Sequence, residues 1–147
     1  DDVESRGLGD VYKRQDEVFL FPTPEQLCGL TEAQLTGCGL GYRTRYIQHA
    51  AAQAAARTLD LNALAVLPDN ALFSRLLTLD GVGKKVANCV CLFGYGRTAM
   101  APIDVWIQRL IDEEFGGRDP FPAYGQQAGI VQQYLFYYKR SISTQKK

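Results

Sequence analysis

Short segments with helical periodicity, separated by glycine and proline, make up most of this chain. Two capping-box patterns, in which a threonine is followed three positions later by a glutamine, start at Thr23 and Thr31. Pro102 is typical of a helix start and Gly116-Gly117 of a helix end. No segment alternates apolar and polar residues over the length of a strand. The sequence therefore predicts an all-α fold.

The chain has 147 residues, of which 46% are hydrophobic, and this is enough for one domain with its own core. Residues 1–15, DDVESRGLGDVYKRQ, show no clear period and resemble a translated sequencing-adapter stretch. We expect this segment to be non-native and exclude it from the fold. The predicted helical domain covers residues 16–142, with a polar tail at 143–147. The chain would then be the N-terminally truncated part of a longer protein.

Composition excludes several classes of protein. No apolar run is long enough to span a membrane, and no apolar segment of the kind found in secretory signals lies near the N-terminus. The cysteines have neither a disulfide pattern nor the spacing of metal ligands, so we expect a reducing cytoplasm and no metal site; they are Cys28, Cys38, Cys89 and Cys91. The formal net charge is zero, which argues against a protein that coats nucleic acid, although basic residues cluster locally.

A glycine hairpin lies between two helical patterns, at Leu79-Asp80-Gly81-Val82-Gly83. Gly81 and Gly83 permit a tight turn, and the backbone N–H groups there and at the start of the next helix can bind an anion. The stretch resembles the helix-hairpin-helix pattern, and this resemblance implies that Gly81, Val82, Gly83 and Lys84 bind DNA phosphate without reading the base sequence. The alternative is an ordinary turn between helices. The following segment, KKVANCVCLFGYG, predicts a short buried helix that ends at Gly94.

Lys85 and Asp104 are the candidate catalytic residues near this hairpin. A lysine at the start of an apolar helix is a candidate amine nucleophile, and its alternative role is a phosphate contact. Asp104 lies in Pro102-Ile103-Asp104-Val105-Trp106, where an aspartate is more often a helix N-cap. Both interpretations of each residue remain open from the residues alone.

The stretches GVGKKVANC and PIDVW together resemble the helix-hairpin-helix DNA glycosylase superfamily, and within it most closely the 8-oxoguanine DNA glycosylase/lyases. Three further stretches resemble segments of that family: CGLGYRTRYI at 38–47, KVANCVCL at 85–92 and AGIVQQYLF at 128–136. The likeness covers roughly residues 18–140. The four clustered cysteines that usually follow in the relatives of endonuclease III are absent from this sequence.

The resemblance implies a role for each matching residue. Lys85 would be the nucleophile that forms a Schiff base, and Asp104 would activate it and stabilise positive charge on the sugar. Cys89, Gln132 and Phe136 would line the pocket for a flipped base. For these three, a small buried filler, a solvated helix position and core packing are the respective alternatives. The fold implied is the helical domain of the superfamily without its N-terminal sheet domain.

The activity implied is base-excision repair of double-stranded DNA that contains a damaged base. The enzyme would remove 8-oxoguanine through the lysine Schiff base and then nick the backbone by β-elimination. We expect a monomer that acts in the bacterial cytoplasm at the nucleoid, with no cofactor; a monovalent cation at the hairpin is the one candidate ion. We expect the 147-residue chain by itself to be weakly active or inactive.

Two other functions remain open. The chain could be a DNA-binding module in which Lys85 only contacts phosphate, although such a module needs neither Asp104 nor a base pocket. It could also be a glycosylase for oxidised pyrimidines or alkylated purines. Relatives that act on alkylated bases generally lack the lysine, so Lys85 argues against the last of these.

Overall fold

The structure, a computed structural model, describes residues 20–144, so the proposed non-native segment at 1–15 lies outside it. Every regular element in the described range is helical, which confirms the all-α prediction. A 3₁₀ turn (Gly41–Arg43), a π-helical segment (Val90–Gly94) and a second 3₁₀ segment (Phe121–Gln127) lie between α-helices. The α-helices are α1 (Pro24–Cys28), α2 (Glu32–Gly37), α3 (Thr44–Ala55), α4 (Leu61–Ala65), α5 (Asp69–Leu76), α6 (Lys84–Cys89), α7 (Val105–Glu114) and α8 (Ala128–Thr144).

The chain divides into two compact units, of which the first extends to Leu61. Here α1 and α2 both pack against α3, and Leu35 and Ala51 are buried. Both predicted capping boxes are present: the Thr23 hydroxyl accepts from the Gln26 N–H, and the Thr31 hydroxyl accepts from the Gln34 N–H. The short polar helices of this unit are thus begun by local hydrogen bonds that the sequence encodes.

The second unit, from Asn62 onward, contains the hairpin and the last two helices. Its α7 and α8 pack together around a buried cluster formed by Ile107, Ile111, Phe121 and Ala128. Apolar side chains three to four positions apart on an α-helix share one face, so this packing fixes which face of each helix points inward. The surfaces of α7 and α8 that do not face this core cluster are left to form a site.

Two predicted boundaries differ from the structure. The helix expected to open at Pro102 begins at Val105, with Asp104 as its N-cap, because the Asp104 carboxylate accepts the first N–H groups. The segment expected to be one buried helix is α6 followed by the π-helical segment, and Lys84 and Lys85 at its start are exposed. The end at Gly94 is confirmed.

Helix α8 continues to Thr144, so the first two residues of the expected polar tail are helical. None of the helices within residues 20–144 combines the length and the hydropathy needed to cross a lipid bilayer.

Candidate active site and DNA-binding hairpin

The hairpin joins α5 to α6 through a tight turn. The Val82 N–H donates to the Leu79 carbonyl at 3.1 Å, and Gly81 adopts a φ of 76°, which favours glycine. Gly83 is the N-cap of α6, and no side chain among residues 20–144 caps this helix. The leading N–H groups of α6 are therefore left for another acceptor, such as a phosphate oxygen.

Gly83 is not required by the packing of the described residues. Its φ is −89°, and a β carbon built on it would meet no atom within 4 Å. The open space in front of Gly83 would allow a ligand to approach the backbone closely. This geometry fits the predicted phosphate contact, which stays a prediction for Gly81, Val82, Gly83 and Lys84.

A cavity of about 140 Å³ opens between α6, α8 and the segment that precedes α7. It brings together both candidate catalytic residues and all three candidate pocket residues, along with three residues that the sequence patterns did not indicate. The lining residues are Lys85, Cys89, Phe93, Pro102, Asp104, Gln132, Gln133 and Phe136. An amine, a carboxylate, an amide and aromatic surface thus share one concave site.

Lys85 lies in the first turn of α6 and is solvent-exposed. Within the described range its ammonium group makes no ion pair or hydrogen bond, so no internal partner fixes it. Cys89 lies one turn further along the same face and is partly buried. The spacing of four positions therefore places both side chains on the cavity wall, as predicted.

Asp104 is both an N-cap and a cavity residue. Its Oδ1 accepts the backbone N–H of Trp106 at 3.0 Å and that of Ile107 at 2.9 Å. Its Oδ2 makes no hydrogen bond within residues 20–144. Oδ1 thus anchors the carboxylate at the start of α7, and Oδ2 has no such role. Asp104 can therefore be the N-cap and also a candidate catalytic carboxylate.

Gln132 and Phe136 lie one turn apart on α8. Gln132 is only 2% exposed, so the alternative of a solvated position is wrong. Its Oε1 accepts from Gln133 Nε2, and within the described residues its own amide nitrogen donates to no group. Phe136 packs partly against the α7–α8 core cluster and also lines the cavity, with the Arg140 guanidinium 5.7 Å from its ring centre.

Two contacts position the walls of this cavity. The Gly129 N–H donates to the Thr98 carbonyl at 2.8 Å and holds the first turn of α8 against the loop after the π-helical segment. Arg97, in that loop, donates to the carbonyls of Ala65 and Leu67 at 2.6 and 3.2 Å. The loop that connects α6 to α7 is therefore tied to both neighbouring parts of the unit.

Three lining residues were missed: Phe93, Pro102 and Gln133. Phe93 follows Cys89 by four positions, so extending the Lys85–Cys89 spacing by one turn would have found it. Pro102 is buried two positions before Asp104 and has no chemical signal of its own. The sequence alone does not show whether Gln132, Gln133 or both line the cavity, because it does not show which face of α8 points inward.

The expected ion stays a prediction. No cluster of three or more His, Cys, Asp or Glu side chains that could hold a metal exists within residues 20–144. A monovalent cation at the hairpin would be bound by backbone carbonyl oxygens instead, and the carbonyls at the end of a helical turn are of that kind.

Comparison with known proteins identifies the relatives of this chain. Residues 7–124 match the HhH-GPD superfamily of base excision DNA repair proteins. A probable N-glycosylase/DNA lyase of Methanothermobacter thermautotrophicus is 31% identical over 82% of this chain and 47% of its own length. An N-glycosylase/DNA lyase of Saccharomyces cerevisiae is 35% identical over 65% of this chain and 28% of its own.

A similar solved structure is that of the Clostridium acetobutylicum 8-oxoguanine glycosylase/lyase in complex with double-stranded DNA containing cytosine opposite 8-oxoguanine. It is 28% identical with a TM-score of 0.79, over 88% of this chain and 48% of its own. The chain spans about half the length of such relatives. The family match covers most of the chain, and the chain belongs to the HhH-GPD superfamily of base excision DNA repair proteins.

Proposed function

We propose that this chain carries the catalytic centre of a DNA N-glycosylase/AP lyase that removes 8-oxoguanine from double-stranded DNA. The observation that supports the proposal is the shared cavity of Lys85, Asp104, Cys89, Gln132 and Phe136. A module that only binds DNA would need the hairpin but not these five side chains in one concave site. The relatives named N-glycosylase/DNA lyase and 8-oxoguanine glycosylase/lyase favour the same reaction.

Lys85 supplies the nucleophile in this proposal. Its neutral amine attacks C1′ of the flipped nucleotide, and the bond from C1′ to the base breaks as the base leaves. The resulting N,O-acetal loses a proton from Nζ, and its C1′–O4′ bond then breaks to give an imine between Nζ and C1′ as O4′ takes up a proton. Loss of a proton from C2′ then expels the 3′ phosphate, which nicks the backbone by β-elimination. Neither step consumes a cofactor.

Asp104 stabilises the charge that develops during base departure. As the bond to the base breaks, positive charge accumulates on the sugar ring, and a carboxylate fixed nearby lowers the energy of that state. The two backbone N–H groups bound to Oδ1 hold the carboxylate in position. The charge is therefore oriented before the substrate arrives, which costs less than orienting it during the reaction.

Gln132, Cys89 and Phe136 bind the flipped base. The amide of Gln132 is buried and its nitrogen has no acceptor in the described part of the chain, so it can donate to a base edge. Phe136 offers an aromatic face for stacking, and Cys89 is small enough to leave room beside it.

In this proposal the hairpin contributes affinity for DNA that does not depend on the base sequence of the DNA. Gly81, Val82, Gly83 and Lys84 would bind a DNA phosphate through backbone N–H groups and one ammonium group, which positions the strand without reading its bases. The protein would act as a monomer wherever genomic DNA is, which in a bacterium is the cytoplasmic nucleoid. Any monovalent cation at the hairpin would support the same phosphate contact.

Borohydride trapping tests the proposal. With the full-length protein, reduction of the imine on a duplex with 8-oxoguanine opposite cytosine should give a covalent protein–DNA adduct, and Lys85→Gln should abolish it. Lys84→Gln is the matched control, because Lys84 is the adjacent exposed lysine outside the cavity. It should weaken DNA binding but still give the adduct at saturating DNA.

The outcome also separates the alternative functions. An undiminished adduct in Lys85→Gln would rule out Lys85 as the nucleophile. DNA binding without any adduct would favour the non-catalytic module. An adduct on duplexes with an oxidised pyrimidine but not on those with 8-oxoguanine would change the substrate and keep the mechanism.

A further inference from the structure

Phe93 lines the cavity although the reaction described above gives it no role. Its side chain is 64% exposed, which is unusual for a phenylalanine that could have packed into the core. It belongs to the π-helical segment Val90–Gly94, whose neighbours Cys91 and Leu92 are fully or nearly fully buried. The segment therefore buries those two residues while it turns an aromatic ring outward at the cavity.

The π-helical geometry sets the direction of Phe93. The Tyr95 N–H donates to the Val90 carbonyl five positions earlier, which is the hydrogen bond of a π-turn. Turns of this kind are frequent at functional sites. Lys85, Cys89 and Phe93 consequently form one continuous edge of the cavity, from the helix start to its end.

Phe136 faces the same cavity from α8. Within residues 20–144 neither phenyl ring stacks on the other or on a third aromatic ring. The cavity thus has an aromatic surface on two different helical segments with open space between them. A flat, apolar-faced ligand is the kind of molecule that gains from two such surfaces.

We propose that Phe93 is a specificity-determining residue that stacks on the flipped base and favours a two-ring purine over a one-ring pyrimidine. The inference rests on the proposed function, since it names the substrate class of the same cavity. A purine has the larger stacking face and can reach both Phe136 and the exposed ring of Phe93. A pyrimidine held against Phe136 and Gln132 would leave Phe93 uncovered.

Three variants isolate the ring of Phe93. Phe93→Ala removes the side chain, Phe93→Leu keeps apolar volume without a ring, and Phe93→Tyr keeps the ring. The matched control is Tyr134→Ala, because Tyr134 is also a highly exposed aromatic residue but lies outside the cavity. Each variant is made in the full-length protein. It is assayed on a duplex with 8-oxoguanine, on the same duplex with an abasic site, and for binding of the free bases 8-oxoguanine and thymine by equilibrium dialysis.

Phe93→Ala and Phe93→Leu should raise KM for the 8-oxoguanine duplex about 10-fold with kcat changed less than about threefold, as expected when a stacking contact is lost. Binding of free 8-oxoguanine should weaken by a similar factor, and the weaker binding of thymine should not change. Trapping on abasic DNA should be unaffected, because no base occupies the cavity. Phe93→Tyr and Tyr134→Ala should behave as wild type.

The results distinguish this inference from the function on which it rests. If wild type is trapped on abasic DNA but Phe93→Ala processes and binds 8-oxoguanine normally, the role of Phe93 is refuted and the function stands. If wild type is not trapped on abasic DNA, the lyase function fails, and the dialysis result still decides whether Phe93 binds the base. Equal losses for 8-oxoguanine and thymine would overturn the purine preference.

Discussion

Gly129 lies so close to Met100 that a β carbon on Gly129 would be 2.4 Å from the Met100 carbonyl oxygen. The Thr98 carbonyl oxygen would be 3.0 Å away, and the same carbonyl accepts the Gly129 N–H at 2.8 Å. The first turn of α8 is thus pressed against the backbone of the preceding loop, where only glycine fits. Gln132 lines the cavity one turn later, so this contact helps to position the cavity wall.

Gly129→Ala should therefore destabilise the protein. Two of the three obstructing atoms are backbone carbonyl oxygens and the third is Leu92 Cδ1, so the loop must shift. We expect the free energy of unfolding to fall by about 1–3 kcal/mol. Urea denaturation followed by circular dichroism measures this change. Gly94→Ala is the control in the same unit, since its β carbon would lie 3.7 Å from Val90 Cγ1, an ordinary contact. The control should be unchanged or gain up to about 1 kcal/mol, and an equally stable Gly129→Ala would contradict the close approach.

Substitutions of Asp104 should separate its structural role from its catalytic role. Asn caps a helix about as well as Asp does, so Asp104→Asn should keep the stability within a few tenths of a kcal/mol, whereas Asp104→Ala should lose about 1 kcal/mol. Both variants remove the negative charge, and both should lower the single-turnover rate of base excision at least ~100-fold. Thermal unfolding and excision assays on the same preparations measure the two effects. Normal excision by a stable Asp104→Asn would leave the carboxylate with the N-cap role alone.

Arg97 should stabilise the loop that leads to the active site. Arg97→Met removes two hydrogen bonds from a charged donor to the Ala65 and Leu67 carbonyls, and we expect a loss of about 1.5–3 kcal/mol in the free energy of unfolding. Asp69 lies 3.6 Å from Arg97 Nε, too far for a hydrogen bond. Arg97 Nε is buried without a hydrogen bond in the described residues, but the Asp69 side chain is 38% exposed. Asp69→Asn should consequently cost less than about 1 kcal/mol. A larger loss for Asp69→Asn than for Arg97→Met in chemical denaturation would reverse this assignment.

The four cysteines should differ in their reaction with a thiol reagent at a pH of about 8. Burial raises the pKa of the Cys91 thiol, and the charge of Asp69 acts in the same direction against the smaller opposite effect of Arg97. Since the thiolate is the reactive form, Cys91 should react only when the protein unfolds. The exposed Cys28 and Cys38 should react fastest and the partly buried Cys89 more slowly. Mass spectrometry of timed samples identifies each site, and labelling of Cys91 at the rate of Cys28 would contradict its burial.

The raised pKa of the Cys91 thiol also predicts how the free energy of unfolding changes with pH. The folded state keeps Cys91 protonated at a pH where the unfolded thiol, with a pKa of about 8.5, already ionises. The stabilisation from this group is complete below that pH and declines as the pH rises above it. Cys91→Ala should lessen the decline in the denaturation midpoint between about pH 8 and pH 10, and an unchanged pH profile would argue against the Cys91 contribution.

Local features of this protein were determined by the sequence itself. The capping boxes at Thr23 and Thr31, the helix end at Gly94 and the shared face of Lys85 and Cys89 each depend on residues within one or two helical turns. Hydrogen bonds and periodicity over such short distances do not require a partner elsewhere in the chain. The positions of the hairpin and of the lysine therefore follow from the order of the residues alone.

The site as a whole was decided by tertiary packing. The burial of Gln132 and the open Oδ2 of Asp104 depend on how α6, α7 and α8 meet. That arrangement rests on contacts between residues distant in sequence, such as Gly129 with Met100, and no local pattern of either residue specifies them. The sequence determined which chemical groups are present, and packing between helices determined which of them share one cavity.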